Sequence, residues 1–216
     1  MNILIMGPAG AGKGTMSARI KKAFCIPHIS TGDMLRENLR EKTALGQQAQ
    51  AYMEAGRLVP DDVINAMVKV RLQEEDCKRG YLLDGYPRTL AQAQALDQIG
   101  ESTHRAVQAV LVLNVDMEVL KDRIVGRRIC PKDGSIYHVT NQPPKVAGVC
   151  DLCGSSLLQR KDDTVEKLAS RMQEYETLTR PVIAYYRRKG VVFEIDASQT
   201  ADVTFEQIHT VLRSFA

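Results

Sequence analysis

The sequence predicts an α/β fold, a five-stranded parallel sheet flanked by helices. Three observations carry this. Short apolar runs alternate with helical patterns along most of the chain. The apolar run 106–115 has the character of a strand buried on both faces. A glycine-rich segment, 7–14, joins the first apolar run to the first helical pattern. A length of 216 residues suits one domain with a small inserted lobe.

Taken in order, residues 2–6 read as a buried strand and 13–24 as a helix with Ile20, Ala23 and Phe24 on one side. Residues 26–30 form a short strand, and Ser30 or Thr31 can cap the next helix. Two short helical patterns fill 31–59 and end at Gly56. Asp61 and Asp62 open a helix in which Val63, Ile64, Met67 and Val70 recur at helical spacing. A strand at 81–84 ends in the turn Gly85-Tyr86-Pro87, and 89–98 is helical. The strand 106–115 leads into an amphipathic helix, 116–127. Between 128 and 159 glycine, proline and cysteine become frequent and large apolar residues sparse. A long helical segment at 163–188, a strand at 191–195 and a helix at 202–214 complete the chain.

Composition narrows the function. With 44% apolar and 25% charged residues, the chain matches folded soluble proteins rather than disordered ones. No apolar run approaches the ~18 residues a membrane span needs. The apolar stretch 3–6 has no basic segment before it, so it is expected to be a strand of a cytoplasmic protein rather than an export signal. A net charge of +3 gives no general affinity for nucleic acid. The cations are mostly arginine, whose forked donors suit phosphate oxygens. Five cysteines, an odd number, argue against a disulfide framework.

The segment Gly7-Pro8-Ala9-Gly10-Ala11-Gly12-Lys13-Gly14-Thr15 has the context of a phosphate-binding loop. Glycines let backbone N–H groups converge on an anion, and the helix N-terminus adds a favourable dipole. Lys13 can reach the β- and γ-phosphates, and a hydroxyl at the helix start can hold Mg²⁺. The strict pattern has Ser or Thr directly after the lysine; here Gly14 precedes Thr15. Ser30-Thr31-Gly32-Asp33-Met34-Leu35-Arg36, taken alone, is a helix cap followed by a surface arginine. Asp84, at the end of a buried strand, lies where such sheets bind ligands and can hold a Mg²⁺-bound water. Gln92 follows Arg88 by one helical turn, so both can face one site. Arg123 and Arg127, at i and i+4, are expected to share a helix face, with Glu118 and Asp122 at other angles leaving both free.

Together these motifs resemble the adenylate kinases, specifically the bacterial form with a long lid. The resemblance runs from Ile3 to about Ala201, and Gly-Xaa-Xaa-Gly-Xaa-Gly-Lys-Gly-Thr is that family's version of the loop, which accounts for Gly14. It implies a nucleoside monophosphate kinase fold that transfers a phosphoryl group from Mg²⁺-bound ATP to AMP, giving two ADP. ATP contacts would come from Gly10, Ala11, Gly12, Lys13, Gly14, Thr15, Arg127, the lid residues Ile136 and Tyr137, and Gln199. AMP contacts would come from Thr31, Arg36, Arg57, Leu58, Val59, Gly85, Tyr86, Pro87, Arg88 and Gln92, with Arg160 and Arg171. Lys13, Asp84, Arg88, Arg123, Arg127, Arg160 and Arg171 would act at the reacting phosphates. The resemblance divides the chain into a core (1–29, 60–127, 160–216), an AMP-binding segment (30–59) and a lid (128–159). It implies a monomer that engages neither nucleic acid nor membrane.

In the lid, Cys130-Pro-Lys-Asp133 and Cys150-Asp-Leu-Cys153 have zinc-ribbon spacing. A lobe of ~30 residues buries too little apolar surface to hold itself and needs a staple. The resemblance implies a structural Zn²⁺ on Cys130, Asp133, Cys150 and Cys153, with Fe²⁺ or Co²⁺ compatible with the same donors. His138 and Asp151 are alternative fourth ligands. Cys25 and Cys77 read as packing residues. Two other functions are kept open: a kinase acting on UMP, CMP or GMP, and a nucleotide-gated nucleic-acid binder built from the loop and the zinc ribbon.

Overall fold

A computed structural model describes residues 1–54, 59–160 and 162–215. Five strands form one parallel sheet: β1 (Asn2–Met6), β2 (His28–Ser30), β3 (Tyr81–Asp84), β4 (Ala109–Asn114) and β7 (Val192–Asp196), in the order β2-β3-β1-β4-β7. In β1, alternate residues serve opposite faces. Leu4 and Met6 join one core with Leu83, Val110 and Val112, while Ile3 and Ile5 join the other with Leu82, Leu111 and Leu113. Both faces are covered by helices, which is why these strands read as unbroken apolar runs. Each fully buried Leu or Ile contributes about 1.5–3 kcal/mol.

Register sets the site. Ile5 pairs with Asp84, and Ser30 pairs with Asp84 from the other side, so the loops after β1, β2 and β3 leave the sheet at one level. The helices α1 (Lys13–Phe24) and α2 (Thr31–Arg40) begin there. Ser30 Oγ accepts from Asp33 N at 3.2 Å and caps α2. By contrast α1 begins after Gly12 with no side-chain cap and no acid in its first turn, leaving its N–H groups and dipole for an anion.

Next come α3 (Ala44–Glu54) and α4 (Asp61–Arg71), then α5 (Leu90–Thr103), capped by Thr89 Oγ1 on Gln92 N. The helix α5 runs past the expected end at 98. Gly100 does not stop it but lets the returning chain pack: a Cβ there would sit 3.1 Å from Ala106 Cα. The helix α6 (Met117–Gly126) stops one residue earlier than expected, which corrects the shared-face reading of Arg123 and Arg127. Val139 N takes the Gly126 carbonyl at 3.0 Å, and Arg127 turns extended to open β5 (Arg127–Ile129). That strand pairs antiparallel with β6 (Ile136–His138) to form the lid hairpin. The long helical segment is α7 (Val165–Glu174), a wider π turn over Tyr175–Thr179, and α8 (Arg180–Arg187). Pro181, which has no N–H and crowds the preceding turn, accounts for the widening. The last helix is α9 (Ala201–Leu212). Among the described residues no helix is long and apolar enough to cross a membrane.

Candidate active site

Lys13 folds back over its own loop, where its Nζ donates to Gly7 O at 2.7 Å and Pro8 O at 2.8 Å. Burial, partly opposed by Asp84 and reinforced by Arg88 and Arg171, lowers its pKa from 10.5 to about 8. A Cβ at Gly14 would lie 2.9 Å from Ile136 Cδ1, the tip of a side chain that would have to shift. A residue of the lid hairpin thus rests on the loop where the stricter motif carries a side chain. Gly10, Ala11 and Gly12 form the turn before α1, and Thr15 lies half-buried in its first turn.

Across the cavity, the ends of β2 and β3 are tied together. Thr31, 3% exposed, donates through Oγ1 to Gly85 O at 3.0 Å. Arg88 Nε donates to the same carbonyl at 2.8 Å. Lys13, Gly85, Pro87, Arg88 and Arg171 line one cavity. Burial, then the neighbouring Arg171 charge, depresses the basicity of Arg88. Asp84 Oδ2 lies 3.3 Å from His28 Nε2, a neighbour the sequence reading did not include. Tyr86 is buried and donates to Asn65 Oδ1 at 2.7 Å and Gln92 O at 3.1 Å; the bond to Pro87 is cis. Gln92 is 2% exposed.

The other arginines are not free, contrary to the expectation for Arg123 and Arg127. Arg127 Nε donates to Asp163 Oδ2 at 2.8 Å, and that carboxylate is buried. Arg171 meets Asp162 at 3.2 Å, while Asp33 pairs with Arg36 and lies 3.7 Å from Arg160. Burial, then Arg36 and Arg127, lowers the Arg160 pKa from 12.5 to about 10. Arg123 donates to Ala197 O at 2.8 Å and Gln199 O at 3.2 Å, fixing the loop after β7. The Gln199 side chain is exposed. Val59 packs in the core, and Arg57 and Leu58 fall outside the described residues. The sequence reading did not give Asp33, Asp162 and Asp163 as partners of the arginines; the signals were the i,i+3 spacing of Asp33 and Arg36 and the mixed run Arg160-Lys161-Asp162-Asp163.

In the lid, Cys130, Asp133, Cys150 and Cys153 each offer a ligand atom, all within 4.8 Å of one another. Two like turns present them. Cys130 N bonds Ser135 O and Gly134 N bonds Cys130 O; Cys150 N bonds Ser155 O and Gly154 N bonds Cys150 O. Three sulfurs and one carboxylate converging in this way fit a tetrahedral thiophilic metal. His138 is turned elsewhere: Nδ1 accepts from Thr140 N and Asn141 N, and Nε2 lies 3.1 Å from Asp122 O. Asp151 accepts from Lys145 N at 2.9 Å. Tyr137 is buried in the lid, its hydroxyl accepting from Asp151 N at 2.9 Å. Cys77 is buried as expected, but Cys25 is exposed, at the left-handed C-cap of α1.

The family model described as adenylate kinase matches residues 5–191. The chain belongs to the adenylate kinase family. Among relatives named adenylate kinase, that of Caldanaerobacter subterraneus subsp. tengcongensis is 50% identical over 212 residues, covering 98% of this chain and 96% of its own length. Those of Thermoanaerobacter sp. and Clostridium tetani are each 47% identical over 212 residues, with 98% of both chains covered. The adenylate kinase match spans the loop, Asp84, the arginines and the cysteines of 128–159 together.

Proposed function

We propose that this chain catalyses reversible phosphoryl transfer from Mg²⁺-bound ATP to AMP, giving two ADP, as a monomer. The observation that carries the reading is the single cavity where Lys13, at the loop after β1, meets Arg88 and Arg171. Two phosphate-bearing groups entering from opposite sides would meet there.

The attacking atom is an oxygen of the AMP phosphate, already largely ionised at neutral pH because its second pKa is ~6. It forms a bond to the γ-phosphorus as the bond from that phosphorus to the β–γ bridging oxygen breaks, and ADP leaves. No general base is needed, so the protein positions the reactants and stabilises charge. Lys13 holds the donor phosphates, and Arg36 and Arg88 hold the acceptor phosphate. Arg123, Arg127, Arg160 and Arg171 exchange their carboxylate or carbonyl partners for the transferring oxygens. Asp84 is sited to hold a water of the ATP-bound Mg²⁺, which when bound neutralises charge on the β- and γ-oxygens. Segments 30–59 and 128–159 serve as covers that exclude water from the phosphoryl group. Cys130, Asp133, Cys150 and Cys153 would hold a structural Zn²⁺, or Fe²⁺ or Co²⁺ in its place, which would keep the lid folded.

The test is an acceptor panel. With Mg²⁺ and ATP present, AMP gives fast ADP formation, while UMP, CMP and GMP are slow. A faster rate with another acceptor would make the protein a sister kinase. The absence of transfer to any of the four would overturn the reading.

The lowered Lys13 pKa gives a second expected result. Between about pH 8 and its unfolded value of 10.5, the unfolded chain holds a proton that the folded chain lacks. Stability from this group therefore rises across that window, and its burial penalty is fully present below pH 8. A bound polyphosphate restores the charge. At about pH 9, ATP binding is expected to take up about one proton, read by calorimetry in buffers of different ionisation heat. The uptake disappears in Lys13→Met. Equal heats in the two buffers would show that Lys13 stays charged in the free protein.

A further inference from the structure

The carboxamide of Gln92 is held in one orientation by two partners of opposite kind. Its Nε2 donates to Asp61 Oδ1 at 2.7 Å, and its Oε1 accepts from Arg88 N at 2.7 Å. A carboxylate only accepts and a backbone N–H only donates, so the partners themselves decide which end is nitrogen. Asp61 is held in turn, because its Oδ2 accepts from Thr89 Oγ1 at 2.6 Å. The backbone of Gln92 is fixed by Tyr86, whose hydroxyl donates to Gln92 O at 3.1 Å. After these bonds one N–H and one oxygen lone pair of the amide remain.

This inference rests on the reading of Gln92 as the residue that meets the acceptor base. Under that reading the remaining pair has a defined partner. A 6-aminopurine offers an amine hydrogen beside an unprotonated ring nitrogen, which an amide oxygen and N–H can match. A 6-oxopurine offers a carbonyl oxygen beside a ring N–H, the reverse pattern. To meet it, Gln92 must turn its amide over. Oε1 would then face the Asp61 carboxylate and Nε2 the Arg88 N–H, replacing two hydrogen bonds by two repulsions. We propose that Asp61 is a positioning residue that fixes the Gln92 amide and thereby makes the acceptor site reject 6-oxopurine monophosphates.

The test compares kcat/KM for AMP and inosine monophosphate, which differ only in the 6-substituent pattern. A site with fixed polar partners rejects the wrong pattern by roughly 10³-fold or more. Asp61→Asn keeps the shape but can turn its own amide to donate to a reversed Gln92. The expected result is an AMP-to-inosine preference at least tenfold lower, with KM for ATP unchanged. If Asp61→Asn slows both acceptors equally, Asp61 is merely structural and the proposal falls. Thr89→Val, which frees one Asp61 oxygen, is expected to act in the same direction to a smaller extent, and it serves if Asp61→Asn fails to fold. No change of preference in a folded Thr89→Val would then overturn the proposal. Gln92→Leu separates the layers. If the wild type uses AMP and Gln92→Leu leaves the preference unchanged, Gln92 does not read the base and the inference fails while the kinase reading stands. If the wild type does not use AMP, the kinase reading itself has failed.

Discussion

Lys13→Met is expected to lower kcat by about 10³-fold, the scale of losing a cation at a transferring phosphoryl group, while the melting temperature holds or rises. The two effects have one cause. Lys13 folds back on its own loop, and among the described residues its hydrogen-bond partners are the carbonyls of Gly7 and Pro8. Burial disfavours its charge, so methionine, of similar length and apolar, relieves the folded state. No neighbouring cation is spare to replace it, because in the proposed reaction Arg36 and Arg88 hold the acceptor phosphate and Arg127 and Arg171 already turn to the transferring oxygens. Steady-state rates and a melting curve on the same preparation check both halves. A kcat within tenfold of wild type would mean that the transferring group does not pass through this loop.

Cys150→Ala is expected to abolish metal binding and, with it, lid order and most activity. Among the described residues the lid's apolar cluster is Cys130, Tyr137 and Cys150, with Cys153 and Leu157 packed on it. Most of that cluster is the ligand set itself. Metal affinity in such small lobes is folding free energy, about 10–16 kcal/mol in zinc-finger peptides. The core clusters draw on none of these residues and should melt separately. Arg127 and Arg160 border the lid, and with them displaced kcat should fall at least ~10²-fold. Metal analysis should give one equivalent in the wild type and none in the variant, with hydrogen-exchange protection lost over 128–159. Full activity with an unchanged melting curve would remove the staple from the mechanism.

What the sequence made legible was local or periodic. The strand–loop–helix around Lys13 is contiguous, the buried strands are apolar at every position, and the cysteine pairs carry their spacing openly. What it hid was set by distant partners. Helix α6 stops at Gly126 because Val139, thirteen residues on, takes the carbonyl that a further turn would use. The local trace within 116–127 is Gly126 itself, where a Cβ would clash with His138 Nε2, and the helical reading ran one residue past it to Arg127. The strands β5 and β6 have three residues each, too short to show a period. The charges were visible, and Asp33 with Arg36 is a local i,i+3 pair, but the pairing of Arg127 with Asp163 and of Arg171 with Asp162 depends on how the 128–159 lobe and α7 lie over the sheet. The helix read as 89–98 runs on to Thr103, and Gly100 within it serves as a packing notch for the returning chain.

The strand order has a further consequence. With β1 at the centre, β2 and β3 lie on one flank and β4 and β7 on the other. Thr31, Gly85 and Arg88 hang from the first flank, while Arg123, Arg127 and the Gln199 loop belong to the second. Under the proposed function, the choice of acceptor and the handling of the phosphoryl donor are thus separable inheritances. Loops on the β2–β3 flank can be exchanged, and new acceptors taken up, while the machinery of transfer descends unchanged.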